Sequence, residues 1–193
     1  MGGMSMRRAR RAAIALLILC VLFTLPAASA EGAYYGSHPA EDIYQVQTSR
    51  HTCTLIACTM MLRNYSSLLG SPYIQVTETS VGRYGWISGV GLSHSFDIGS
   101  VGVRMSADIR GAKDRKAYLV DTLAAHPEGV VIYDTGAPHA VWLFGYDQDS
   151  DTFYCADTFE RLGGRAITLA ESSIRGETQE DKIGTIDRIW YVE

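Results

Sequence analysis

From Thr52 to Tyr65 the chain reads Thr-Cys-Thr-Leu-Ile-Ala-Cys-Thr-Met-Met-Leu-Arg-Asn-Tyr, and a helix drawn through it is apolar almost all the way round. A surface helix keeps a polar face, so this segment must be buried and the rest of the chain has to enclose it. Thr52 is expected as its N-cap, and Asn64 suits its other end. With 193 residues, 47% of them apolar and 20% charged, the chain is able to bury one sizeable core around such a helix, but hardly two. That composition excludes a disordered tail, a collagen-like repeat and a polytopic membrane protein. Four Cys are too few for a small disulfide-stapled scaffold. The balance of 17 basic against 21 acidic residues offers no excess charge for a phosphate backbone, so no nucleic-acid partner is expected.

The first thirty residues read apart from this domain. Arg7, Arg8, Arg10 and Arg11 are followed by an uncharged run from Ala12 to Leu25, then by Pro26 and the small residues Ala28-Ser29-Ala30. This is the three-part pattern of a secretory signal peptide spanning residues 1–30, with cleavage after Ala30. The apolar run is shorter than the ~20 residues a membrane-crossing helix needs. Removing four Arg leaves 13 basic against 21 acidic residues, a net charge of −8. The expectation is an acidic, secreted, extracellular protein, with no membrane partner once the signal is gone.

Residues 31–48, rich in Gly, Ser and Pro, read as an extended lead-in to a single domain over residues 49–193. Ser71 to Ala112 shows little periodicity beyond a short helix near Thr77 to Tyr84. Lys113 to His126 is patterned as an amphipathic helix closed by Pro127-Glu128-Gly129. The period then changes to two: Val130–Asp134, Ala140–Tyr146, Thr152–Ala156 and Thr185–Val192 read as strands. Asp147-Gln-Asp-Ser-Asp151 reads as a polar hairpin turn, since the Gly and closing Glu of a calcium loop are absent. A buried helix followed by an antiparallel sheet makes the expected fold class α+β.

The chemistry gathers at three residues. Cys53 opens the buried helix, where the positive end of the helix dipole favours a thiolate. His139 opens a strand, His139-Ala-Val-Trp-Leu-Phe-Gly-Tyr146, that is apolar on both faces and therefore central. An imidazole at the mouth of such a strand needs a specific hydrogen-bond partner. Asp157 on the following strand, across a hairpin, offers one. Cys, His and Asp are the nucleophile, base and orienting group of a catalytic triad.

Residues Gln47 to the C-terminus resemble papain-like cysteine peptidases, especially the bacterial branch related to bacteriocin-processing (double-glycine) peptidases. In that family a Gln precedes the catalytic Cys by six positions, as Gln47 precedes Cys53. The catalytic His opens a strand spaced like His139-Ala-Val to Gly-Tyr146. An Asn or Asp followed two places later by a shielding aromatic ring matches Asp157-Thr158-Phe159. The resemblance implies a papain-like fold and a cysteine peptidase that hydrolyses peptide bonds. It assigns Cys53 as nucleophile, His139 as acid and base, Asp157 as orienting group and Gln47 as an oxyanion donor beside the Cys53 N–H. Phe159 would cover the His139–Asp157 hydrogen bond. No cofactor is implied, and the partner is a peptide or protein substrate met by a monomer. Two departures stand out. Only 22 residues separate Ala30 from Cys53, too few for the long inhibitory pro-segment of plant and lysosomal relatives. No transporter is attached, so a Gly-Gly leader is not implied as substrate.

Gln45 is an alternative amide donor, and the six-residue spacing favours Gln47. His51 precedes the helix in a polar turn, and His38, His94 and His126 are expected to be solvated. The scattered His and Cys have no paired ligand spacing, so no metal site is expected. Cys58 and Cys155 are expected as reduced core residues, and Trp142 and Tyr146 as core. The same triad also serves Cys-dependent acyl transferases and transglutaminase-like enzymes, and a non-catalytic peptide-binding module is a further alternative.

Overall fold

The computed structural model describes residues 32–49 and 51–193, of which Ala33–Glu193 form one compact unit. The segment read as a signal peptide lies outside the described residues. The apolar stretch forms helix α1 (Cys53–Leu68), and every residue from Cys53 to Leu62 is buried. Both ends differ from expectation. Thr52 stands at the N-cap position but does not cap: its backbone (φ −102°, ψ 13°) is not the extended one of a capping residue, and its hydroxyl donates to the Ser49 carbonyl (3.1 Å). Asn64 lies inside the helix and is itself buried. Its Nδ2 donates to Ser37 Oγ (2.8 Å) and to the Glu128 carbonyl (3.0 Å), uses that outweigh a cap. The helix runs one turn further, to half-exposed Leu68, and ends ahead of Gly70, whose φ of +66° is open to glycine.

The enclosing layer is an eight-stranded antiparallel sheet. Its spatial order is β4 (Ser95–Ile98), β5 (Val101–Ser106), β10 (Arg188–Val192), β6 (Val130–Asp134), β7 (His139–Asp147), β8 (Thr152–Asp157) and β9 (Ile167–Thr168). Strand β1 (Tyr34–Gly36) pairs with the far end of β7, so part of the expected lead-in is sheet. A separate hairpin joins β2 (Trp86–Ile87) to β3 (Gly91–Leu92). The expected strands at residues 130–134, 140–146 and 152–156 are present nearly residue for residue. The fourth is shorter than expected, because residues 179–185 form a helix ahead of β10. The described fold is thus α+β with an antiparallel sheet.

Alternation along the strands divides two cores. Ala140, Trp142, Phe144, Ala156 and Trp190 face α1, with α2 (Glu78–Gly85) packed behind it. Val141, Leu143, Cys155 and Ile189 face α3 (Arg115–Ala125) and α4 (Gln179–Thr185), which supply Leu119, Leu123 and Ile183. Helices therefore cover both faces, which is why β7 carries apolar residues on both. Leu143 pairs with Cys155 and Gly145 with Tyr154, so Phe144 is an extra residue in β7. The bulge reverses the alternation and turns Tyr146 toward Phe153 in the second core. Trp142 is fully buried with its indole N–H on the Glu128 carbonyl (3.1 Å), and Tyr146 is buried with its hydroxyl on Asp151 (2.7 Å). Among the described residues, no helix is long and apolar enough to cross a membrane.

If enclosure of α1 carries the stability, residues of one helix should differ sharply by burial. Met60, fully buried and accepting the Gln45 N–H on its sulfur (3.2 Å), should lose ~2–5 kcal/mol on Met60→Ala. Leu68, 51% exposed, should lose well under ~1 kcal/mol on Leu68→Ala. Urea unfolding midpoints measure both, and equal losses would contradict this packing.

Candidate active site

Strand β7 begins where a tight turn leaves β6. Asp134, at the end of β6 and fully buried, accepts the Gly136 N–H (2.8 Å) and the Arg175 guanidinium (3.0 Å from Nε). Thr135 in the same turn donates its hydroxyl to Asp187. Asp134 is also the register partner of His139. The imidazole therefore projects from a backbone fixed on both sides.

Asp157, the last residue of β8, pairs across the sheet with Val141, two positions from His139. It is fully buried, and each carboxylate oxygen is occupied. Oδ1 accepts His139 Nε2–H (2.8 Å) and the Phe159 N–H (3.0 Å), and Oδ2 accepts the Ser173 N–H (2.6 Å). An ionised carboxylate only accepts, so the proton sits on Nε2 and leaves Nδ1 for another task. The Phe159 ring stacks on the imidazole with centroids 4.0 Å apart, and 38% of that residue remains exposed. Phe159 therefore shields one face of the His139 ring while its other side meets solvent.

Electrostatics follow from this enclosure. Burial pulls the His139 imidazolium down, but the Asp157 hydrogen bond and charge, together with the Cys53 sulfur, outweigh it and raise the pKa to about 9. Burial raises Asp157, and the His139 partnership with two backbone N–H groups reverses this, holding its carboxyl below the usual range. His139 Nδ1 is buried without a formed hydrogen bond, although Cys53 contributes to the raised imidazole. The Cys53 sulfur therefore acts on the imidazole from nearby without a formed hydrogen bond.

Cys53 begins α1, is 8% exposed and lines a cleft of about 490 Å³. The Thr52 side chain does not cap α1, and among the described residues no other side chain covers its first-turn N–H groups. Gln47 is tied to the residue between Asp157 and Phe159. Its N–H donates to the Thr158 carbonyl (2.8 Å), and its Oε1 accepts the Thr158 hydroxyl (2.7 Å). The side-chain oxygen being used, the amide NH₂ is its remaining donor. Next to it, Val46 packs so close to Gly163 that a Cβ there would lie 2.6 Å from Val46 Cγ2, which explains a glycine in the turn after Phe159. Gln45 is the lesser candidate: its amide meets the Arg63 guanidinium, about three turns along α1 from Cys53.

Other residues around the site carry no sequence signature. Thr158 is buried with its hydroxyl on Gln47, and Ser173 serves Asp157 through its backbone N–H, which any residue but Pro supplies. Lys182 is buried and donates to the carbonyls of Ser172 (2.9 Å) and Ile174 (2.7 Å), gripping Ser173 from both sides. The cleft is lined from Ser71–Ala112 by Trp86, His94 and the β2–β3 hairpin, and beyond that span by Tyr133, Arg188 and Trp190. His94, exposed as expected, lines the cleft with His51. His38 is exposed as expected, with its ring stacked on Tyr34, whereas His126 at the end of α3 is half-buried against Glu128 (3.2 Å) and the Tyr191 ring. Cys58 and Cys155 are free thiols with no exposure, and burial pushes both thiols up. Among the described residues no cluster of His, Cys, Asp and Glu is arranged to hold a metal ion.

Compared with protein-family models, curated proteins and solved structures, the chain matches none.

The buried pair has a pH signature. In the unfolded chain His139 titrates near ~6.5, whereas the folded imidazolium persists to about 9. The stabilisation it contributes is therefore complete below pH ~6.5 and disappears as pH rises through the folded value. NMR titration of the His139 ring should give a midpoint of about 9, and Asp157→Asn should move it to lower pH. A wild-type midpoint at or below the ordinary value would contradict the pairing.

Proposed function

We propose that this chain is a papain-like cysteine peptidase of bacterial type, secreted, acting as a monomer on peptide or protein substrates without a cofactor. The observation that carries the reading is the buried His139–Asp157 hydrogen bond, which commits Nε2 and leaves Nδ1 for Cys53 at the cleft. The match in order and spacing of Gln47, Cys53, His139 and Asp157 to the resembled family supports it, as does the α+β architecture with α1 enclosed against the sheet.

The chemistry runs in two halves. Cys53 and His139 form a thiolate–imidazolium pair, and the sulfur attacks the carbonyl carbon of the scissile bond. The oxygen that gains charge is received by the Cys53 N–H at the uncapped end of α1 and by the Gln47 NH₂. His139 passes its proton to the departing amine nitrogen, the C–N bond breaks and a thioester remains. Water then attacks the thioester as His139 removes its proton. The C–S bond then breaks, the carboxylic acid leaves, and the Cys53 thiolate again faces the His139 imidazolium. Asp157 keeps the ring oriented and neutralises the imidazolium throughout. Lys182 and Ser173 act one step further out, as positioning residues for that carboxylate.

Incubating the mature chain with a peptide library, with and without an added amine, and identifying products by mass spectrometry tests this reading. Hydrolysed peptides are expected, and Cys53→Ala should reduce turnover by ~10⁴-fold or more. Gln47→Ala should lower kcat by ~10²–10³ with little change in KM. Products dominated by amine adducts would favour an acyl transferase, and cleavage that survives Cys53→Ala would end the peptidase reading.

A further inference from the structure

The cleft at Cys53 has a charge opposite to that of the chain. Arg188, His51 and His94 line it, and no Asp or Glu does, although acidic residues outnumber Lys and Arg by 21 to 17. Arg188 has no carboxylate partner among the described residues, whereas Arg110 and Arg175 each pair with one and Arg104 with two. Its position is fixed by the sheet: it is the first residue of β10, half-buried, in register with Tyr133. Two residues on, Trp190 meets the Tyr133 ring edge-on at 6.0 Å and donates its indole N–H to the Ser93 carbonyl (2.8 Å). That bond ties β10 to the segment carrying His94 and the β2–β3 hairpin, so the walls of the cleft are held together.

An arginine that is half-buried in a cleft wall and has no counter-ion among the described residues is poised to gain from an anion. Its planar fork matches a carboxylate at two points. We propose that the cleft selects substrates bearing a carboxylate beside the scissile bond, with Arg188 as the specificity-determining residue; the proposal rests on the peptidase reading above. The carboxylate comes either from a Glu or Asp side chain or from the end of a peptide chain.

Competitive cleavage of paired octapeptides by the mature enzyme tests this. Members of one set differ only by Glu or Gln at each position in turn, and members of the other only by a free or amidated C-terminus. The acidic member of at least one pair should be cleaved about tenfold faster, the size of one charge-assisted hydrogen bond in a partly dry site. A Glu preference identifies the side-chain source, and a free-terminus preference the chain end. Arg188→Gln should bring the ratio to about one, and Arg188→Lys should keep part of it. The ratio is internal to each preparation, so partial misfolding does not disturb it. Cleavage with no acidic preference at any position, or a preference unchanged in Arg188→Gln, overturns the proposal and leaves the peptidase reading intact. Absence of any Cys53-dependent cleavage overturns both.

Discussion

A helix without a polar face has to be closed in on all sides, and most of this fold is the means of closing in α1. The sheet covers one side of it, α2 another, and buried Ile43 from the lead-in adds a further contact. At its N-terminal end the buried Cys53 meets the cleft, and at the other end the helix emerges into solvent at half-exposed Leu68. Enclosure thus does two things for the proposed chemistry. It anchors the thiol on a rigid element, and it keeps the helix dipole in a poorly solvated setting where its field at the first turn is weakly screened.

The second constraint is electrostatic. A carboxylate as buried as Asp157 is tolerable only when every lone pair that faces protein is used. Three donors from three separate segments meet it: His139 on β7, the Phe159 N–H after β8, and the Ser173 N–H. The Ser173 donor depends in turn on Lys182, whose buried ammonium holds the carbonyls on either side. The imidazole is therefore oriented by a network that spans three neighbouring strands, β6 to β8, and reaches α4 through Lys182.

Much of this was legible in the sequence where a residue must satisfy a strong local demand. The all-round apolar stretch announced α1 and the two-faced apolar strand announced β7, and of the residues singled out by spacing the structure sets His139 on Asp157 and Gln47 on the neighbouring Thr158. Elsewhere the signal was weak for physical reasons. Strands β4 and β5 lie in a Gly- and Ser-rich span where few side chains mark the alternation. The seven residues of α4 are too short and polar for helical periodicity, so their apolar C-terminal neighbours read as one long strand. Asn64 looked like a helix end because a buried asparagine needs distant partners, Ser37 and Glu128, that only the tertiary structure brings to it. Ser173 serves through its backbone, and Lys182 through carbonyls, so neither leaves a recognisable pattern of side chains.

The central claim is that Cys53 and His139 act as one acid–base pair. Residue-resolved alkylation by iodoacetamide, followed across pH by mass spectrometry, measures that coupling directly. Cys58 and Cys155, fully buried, serve as internal controls for intact folding. In the wild type Cys53 should be alkylated already at pH ~5, where an unassisted thiol is almost wholly protonated. In His139→Ala its labelling should shift to alkaline pH while the two buried cysteines stay protected. A Cys53 profile that is the same with and without the imidazole would contradict the pair, and with it the catalytic account of this site.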